Sequence, residues 1–113
     1  MRDDPFRRGD VVWAPDPFRA GANPRPWLGL VAESLPYPGE EYGCAALTTS
    51  DLPQNHQIGD DWVVGRDPEQ SSYCSPWVLA TVKHDAITAP QGAVAEAFAD
   101  RMASEARAYL DRG

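Results

Sequence analysis

Lysine is almost missing from this chain: Lys83 stands alone beside nine arginines. Carboxylates are not scarce. There are 17 against 10 basic residues, so the formal charge is −7 and the isoelectric point is near 4.6. Two readings of this balance stay open. One is adaptation to concentrated salt: at 1 M the Debye length is about 3 Å, and dense carboxylates barely repel one another. The other is a GC-rich genome, which exchanges Lys for Arg without any adaptation. It leaves the acidic excess unexplained, which puts the saline reading ahead. An acidic chain ordinarily argues against a nucleic-acid partner. Concentrated salt weakens that argument, because it screens phosphate attraction for every protein.

Other absences exclude more. Two cysteines, Cys44 and Cys74, are too few for a disulfide-stapled miniprotein. No apolar run approaches the roughly 20 residues of a membrane span. The opening Met1-Arg2-Asp3-Asp4-Pro5 lacks the apolar stretch of a secretory signal, so a cytoplasmic protein is expected. No internal repeat or low-complexity tract occurs. The 113 residues are 42% hydrophobic, which suits one compact domain over 1–113 and argues against disorder.

Eleven prolines and nine glycines are scattered rather than clustered, as many short strands and turns require. Val11–Trp13, Trp27–Ala32, Tyr42–Leu47, Trp62–Val64 and Ser75–Val82 read as strands, with a weak edge strand near His56–Ile58. Trp27–Ala32 is apolar on both faces and is expected to be central. From Ala93 to Leu110 there is no Pro or Gly, and Val94, Phe98, Met102, Ala106 and Leu110 recur every four residues, the apolar face of an amphipathic helix. The expected fold is therefore mainly β, with five to six short strands over about 10–82 and a C-terminal α-helix over about 93–110. So small a β set must curl into a barrel to hide its edges.

The order of motifs carries a resemblance. Arg8-Gly9-Asp10-Val11-Val12 opens the chain, a Pro/Gly loop follows, and Arg25-Pro26 enters an apolar strand. A further apolar strand ends in Leu47-Thr48-Thr49, and a long strand precedes the terminal helix. This pattern resembles the MazF/PemK toxin family of toxin–antitoxin systems over nearly the whole chain. The resemblance implies an SH3-like β-barrel, a homodimer and a cognate antitoxin protein as partner. It also implies a metal-independent, cofactor-free endoribonuclease acting on single-stranded RNA.

It places the catalytic pair on Arg25 and Thr48. Pro26 disfavours the α region for Arg25 and holds it extended at the strand entrance. Arginine is always charged and forks onto phosphate oxygens. Thr48 offers a small hydroxyl at a strand end. Against these stand an ordinary surface ion pair for Arg25 and ordinary β-propensity for Thr48. Expected substrate contacts are Phe18, Arg19 and Asn23 in the loop, Thr49, and Thr81, Lys83 and His84 at the end of the last long strand. The sequence also departs from the family. The Glu-Gln common before Arg-Pro is replaced by Phe18-Arg19-Ala20-Gly21-Ala22-Asn23. A frequent Gln-Ile-Arg-Thr reads Val78-Leu79-Ala80-Thr81-Val82-Lys83. An inactive SH3-like module that binds protein or nucleic acid is the alternative.

Remaining candidates have plain readings. His84 could act as a general base near neutral pH, or be an exposed loop residue; His56 is the weaker of the two. Cys44, Cys74, His56 and His84 lack zinc-ligand spacing. Base stacking on one of Trp13, Trp27, Trp62 and Trp77 would suit a single-strand binder, but all four fall in strands and are assigned to the core and the helix seat. Phe18, between Pro17 and Arg19, reads as a base-contacting or dimer-contacting aromatic.

Overall fold

The computed structural model describes residues 4–18 and 23–113. Among the described residues, seven strands precede one helix: β1 (Asp10–Ala14), β2 (Arg25–Val31), β3 (Glu41–Thr48), β4 (His56–Gln57), β5 (Trp62–Gly65), β6 (Tyr73–Lys83), β7 (Ala89–Val94) and α1 (Glu96–Asp111). All pair antiparallel in one curled sheet of order β4-β6-β3-β2-β1-β7-β5. Its two ends, β4 and β5, do not pair with each other. The mainly β fold with a C-terminal helix is as expected.

The count of five to six strands is corrected to seven. The strand not foreseen is β7, Ala89-Pro90-Gln91-Gly92-Ala93-Val94, whose Pro and Gly are both poor strand formers. Tertiary pairing overrides that weakness, because β7 fills the space between β1 and β5. It also takes the first residues assigned to the helix. Ala93 pairs with Asp10, Val94 pairs with Trp62, and α1 starts only at Glu96. Gly92, at φ +156°, has Val64 so close that a Cβ would fall 2.1 Å from its carbonyl oxygen. Only glycine permits that approach of β7 to β5.

Each face of the sheet has its own core. On one, Phe98, Ala99, Met102 and Ala106 of α1 pack on Val11, Leu28, Leu30, Ala45, Leu47 and Cys74. On the other, Val12, Trp27, Tyr42, Cys44, Val82 and Ile87 come together, with Phe6 packed against them. The central β2 thus contributes to both, as its two apolar faces require. Leu110, expected on the buried helical face, is 70% exposed at the mouth of a groove with Leu79 and Ala106. Of the tryptophans, Trp27 is fully buried and Trp77 packs against Tyr109 of α1, with ring centroids 5.7 Å apart. Trp62 is half-buried and packs against the first core, whereas Trp13 is half-buried and joins neither core, which corrects its assignment, and Trp77 is exposed beside the helix.

Cys44 and Cys74 are free and lie in different cores. Burial pushes both thiols up to about 12 from 9.0, because a thiolate there would lose its hydration. Among the described residues, no helix is long and apolar enough to cross a membrane.

Candidate functional site

Antiparallel pairing brings the end of β1, the start of β2 and the end of β3 to one edge of the sheet. There they face Gln91 of β7 and the segment from Arg66 to Ser72 across a cleft of about 1250 Å³. Arg25, Thr48, Thr49 and Asn23 all line it, together with Trp13, Asp16 and Arg66.

Arg25 is fixed from two directions. Its Nη2 donates to the Leu47 carbonyl at 2.6 Å, and its Nη1 donates to Asp16 Oδ2 at 3.2 Å. The guanidinium carbon lies 5.5 Å from the Trp27 ring centroid, within cation–π range. Asp16 is itself well held, since its buried carboxylate also accepts the Phe18 backbone N–H through Oδ1 at 2.8 Å. Two of the five guanidinium donors are thereby used, and the Arg25 side chain remains 29% exposed. Its Nε is buried without an acceptor among the described residues. A half-buried, permanently charged fork with donors to spare is suited to a phosphate.

Thr48 is one residue beyond the carbonyl that anchors Arg25, so the two side chains share the same corner. Its Oγ1 accepts the Ser50 N–H at 3.2 Å, which leaves its own proton to donate elsewhere. Together, Arg25 and Thr48 present a cation and a neutral donor at one strand-end edge.

The far wall is built by hydrogen bonds. Asp67 Oδ1 accepts from Trp62 Nε1 at 2.8 Å and from the Ser72 N–H at 3.2 Å, tying the two ends of the loop together. Gln91 bridges the gap to β1: its Oε1 accepts from Trp13 Nε1 at 2.8 Å, and its Nε2 donates to the Arg66 carbonyl at 2.7 Å. Two arginines, Arg25 and Arg66, face three carboxylates, Asp16, Asp67 and Glu69, around the cleft. Asp16 is ion-paired to Arg25, whereas Arg66 makes no ion pair among the described residues.

The other candidates lie elsewhere. Lys83 pairs with Glu41, at the opposite end of β3 from Thr48, seven residues or about 23 Å away along the strand. Thr81 borders the groove beside α1. His84 is buried rather than exposed at a rim: its Nδ1 is 2.7 Å from the Tyr42 hydroxyl, and Phe6 packs at 5.6 Å between ring centroids. Phe18 is 61% exposed and does not line the cleft. Arg19 lies outside the described residues. His56 meets Glu105 of α1 at 3.4 Å.

Sequence reasoning missed Asp16, Arg66, Trp13 and Gln91. Asp16 had a local signal, since Asp between two prolines favours capping a backbone N–H two residues on. Gln91 had none, because its role depends on a strand that its own sequence disfavours.

No protein-family model matches the chain, and no curated protein matches it in sequence. Among solved structures, it is similar to an endoribonuclease in complex with its cognate antitoxin from a mycobacterial species. The TM-score is 0.62 at 22% identity, over 90% of this chain and 88% of the other. A likeness at that identity establishes the fold.

Proposed function

We propose that this protein is a toxin-like endoribonuclease of the MazF/PemK kind, cleaving single-stranded RNA in the cleft around Arg25 and Thr48. The observation that carries this reading is the pinned guanidinium of Arg25, with donors to spare, one residue from the end of the strand that presents Thr48. A fold shared with an endoribonuclease supports it. On this reading the curled sheet is a member of the SH3-like barrels.

The chemistry follows from the groups present. The RNA 2′-oxygen attacks the adjacent phosphorus, the new P–O bond closes a cyclic phosphate, and the bond to the 5′-oxygen breaks. The 2′-hydroxyl loses its proton and the departing oxygen gains one. Arg25 stabilises the charge growing on the phosphoryl oxygens, and because it is already fixed it needs no reorganisation to do so. Thr48 donates to the same group. Arg66 adds a cation for a neighbouring phosphate. The reaction is proposed to run without metal, in a cytoplasmic homodimer held in check by an antitoxin; the neighbouring structure is of an endoribonuclease in complex with its cognate antitoxin.

The SH3-like binding module without catalysis remains the second reading, favoured by a cleft lined with three carboxylates against two arginines. One assay separates them. Purified protein is incubated with a defined RNA in dilute and molar salt, with and without EDTA, and the product ends are identified. Cyclic phosphate and 5′-hydroxyl ends, produced equally with EDTA, are the expected result. Retention of intact RNA on the protein supports a module that binds nucleic acid, and neither cutting nor binding sinks the ribonuclease and the nucleic-acid module alike.

A further inference from the structure

The cleft wall includes one aromatic side chain, that of Trp13, whose orientation a hydrogen bond fixes. Trp13 is half-buried and lines the cleft, whereas Trp27 is sealed in a core and Trp62 spends its indole N–H on Asp67 beside the loop. Trp13 pairs across the ladder with Pro26 and Ala14 pairs with Arg25, so the Trp13 and Arg25 side chains leave opposite faces of the two strands, and both line the cleft because they stand at the strand ends.

Its orientation comes from a bulge. Opposite β1, Gly92 pairs with Val11 and Pro90 pairs with Val12, so Gln91 has no partner on β1. Bulges re-aim side chains, and this one sends the Gln91 amide toward Trp13. Both ends of that amide are occupied, Oε1 by the indole N–H and Nε2 by the Arg66 carbonyl. Gln91 therefore has a positioning role. The indole has likewise spent its only donor, so what it offers a ligand is its π-face.

Building on the RNA-cleaving reading, we infer that Trp13 is a stacking platform for one unstacked base of the RNA, at a nucleotide adjacent to the phosphate held by Arg25. Every base has a π-face, so recognition at that position is tolerant of base identity.

The test uses an RNA spanning the mapped cleavage site, 2′-O-methylated throughout so that it binds uncut, with affinity read by fluorescence anisotropy. Trp13→Ala should weaken binding about 5- to 150-fold, while Trp13→Phe, which keeps a ring, should stay within about threefold of wild type. An abasic scan then asks whether a base is the partner. At one position, removing the base should cost wild type the same factor and cost Trp13→Ala nothing, a coupling that a merely structural tryptophan would not show. Unchanged affinity in Trp13→Ala, or losses that simply multiply, overturns the platform and leaves cleavage standing. If Trp13→Ala does not fold, the abasic scan on wild type and Trp13→Phe decides: no sensitive position overturns the proposal. Wild type that binds no RNA overturns both this inference and the function beneath it.

Discussion

Arg25→Ala removes two things at once, and the structure says how to separate them. The first is the cation aimed into the cleft; loss of one donor to a developing oxyanion typically costs about 10²–10³ in rate. The second is one ion pair of Asp16, whose side chain is only 6% exposed. Breaking a buried pair costs about 3–5 kcal/mol when both partners are buried. Arg25 is 29% exposed, so water already screens the pair, and about 1–3 kcal/mol is expected. Adding Asp16→Asn removes the buried charge that Arg25 neutralised yet keeps the Oδ1 that accepts the Phe18 N–H. The double variant should thus regain part of the lost stability and none of the lost activity. Asp16→Asn alone leaves Arg25 on the Leu47 carbonyl and should slow cleavage less than Arg25→Ala does. Single-turnover cleavage of a dual-labelled RNA measures the rate, and urea denaturation measures the stability. An Arg25→Ala protein that cuts at the wild-type rate refutes the catalytic assignment. A double variant less stable than Arg25→Ala refutes the account of Asp16 as a buried charge that needs Arg25.

The two buried thiols give a pH prediction. Because burial raises both to about 12 from 9.0, the native state keeps protons that the unfolded chain loses, so stability should fall as pH rises from about 9 toward 12. Iodoacetamide should label Cys44 and Cys74 no faster than the chain unfolds, and rapid labelling of native protein would contradict their burial. At the β5–β7 contact, Gly92→Ala sets a Cβ 2.1 Å from the Val64 oxygen at a φ of +156°. Thermal unfolding should show a loss of at least about 1–3 kcal/mol from backbone strain, and an unchanged midpoint would show that the two strands are not so close.

Short-range pattern determined much of this molecule. Alternation and β-branched runs marked six strand positions from Val11 to Val82, the spacing of Phe98, Met102 and Ala106 marked the buried face of α1, and Pro26 marked Arg25 as the extended start of β2. These signals are legible because each arises within a few residues of chain, from a period of 2 or 3.6 or from one ring next to one backbone. That Arg25 and Thr48 share an edge was expected only through the order of motifs; β1–β2 and β2–β3 pairing places them there. Tertiary structure alone decided the rest. Pro90 and Gly92 disguised β7, and space between β1 and β5 made it a strand. The bulge at Gln91 turned Trp13 from an expected core residue into a wall of the cleft. The Tyr42 hydroxyl and Phe6 drew His84 inside, and β3 carried Lys83 to the far end from Thr48. Such outcomes depend on register, bulges and partners distant in sequence, where a shift of one residue turns a side chain to the other face, and no local window of the sequence contains that information.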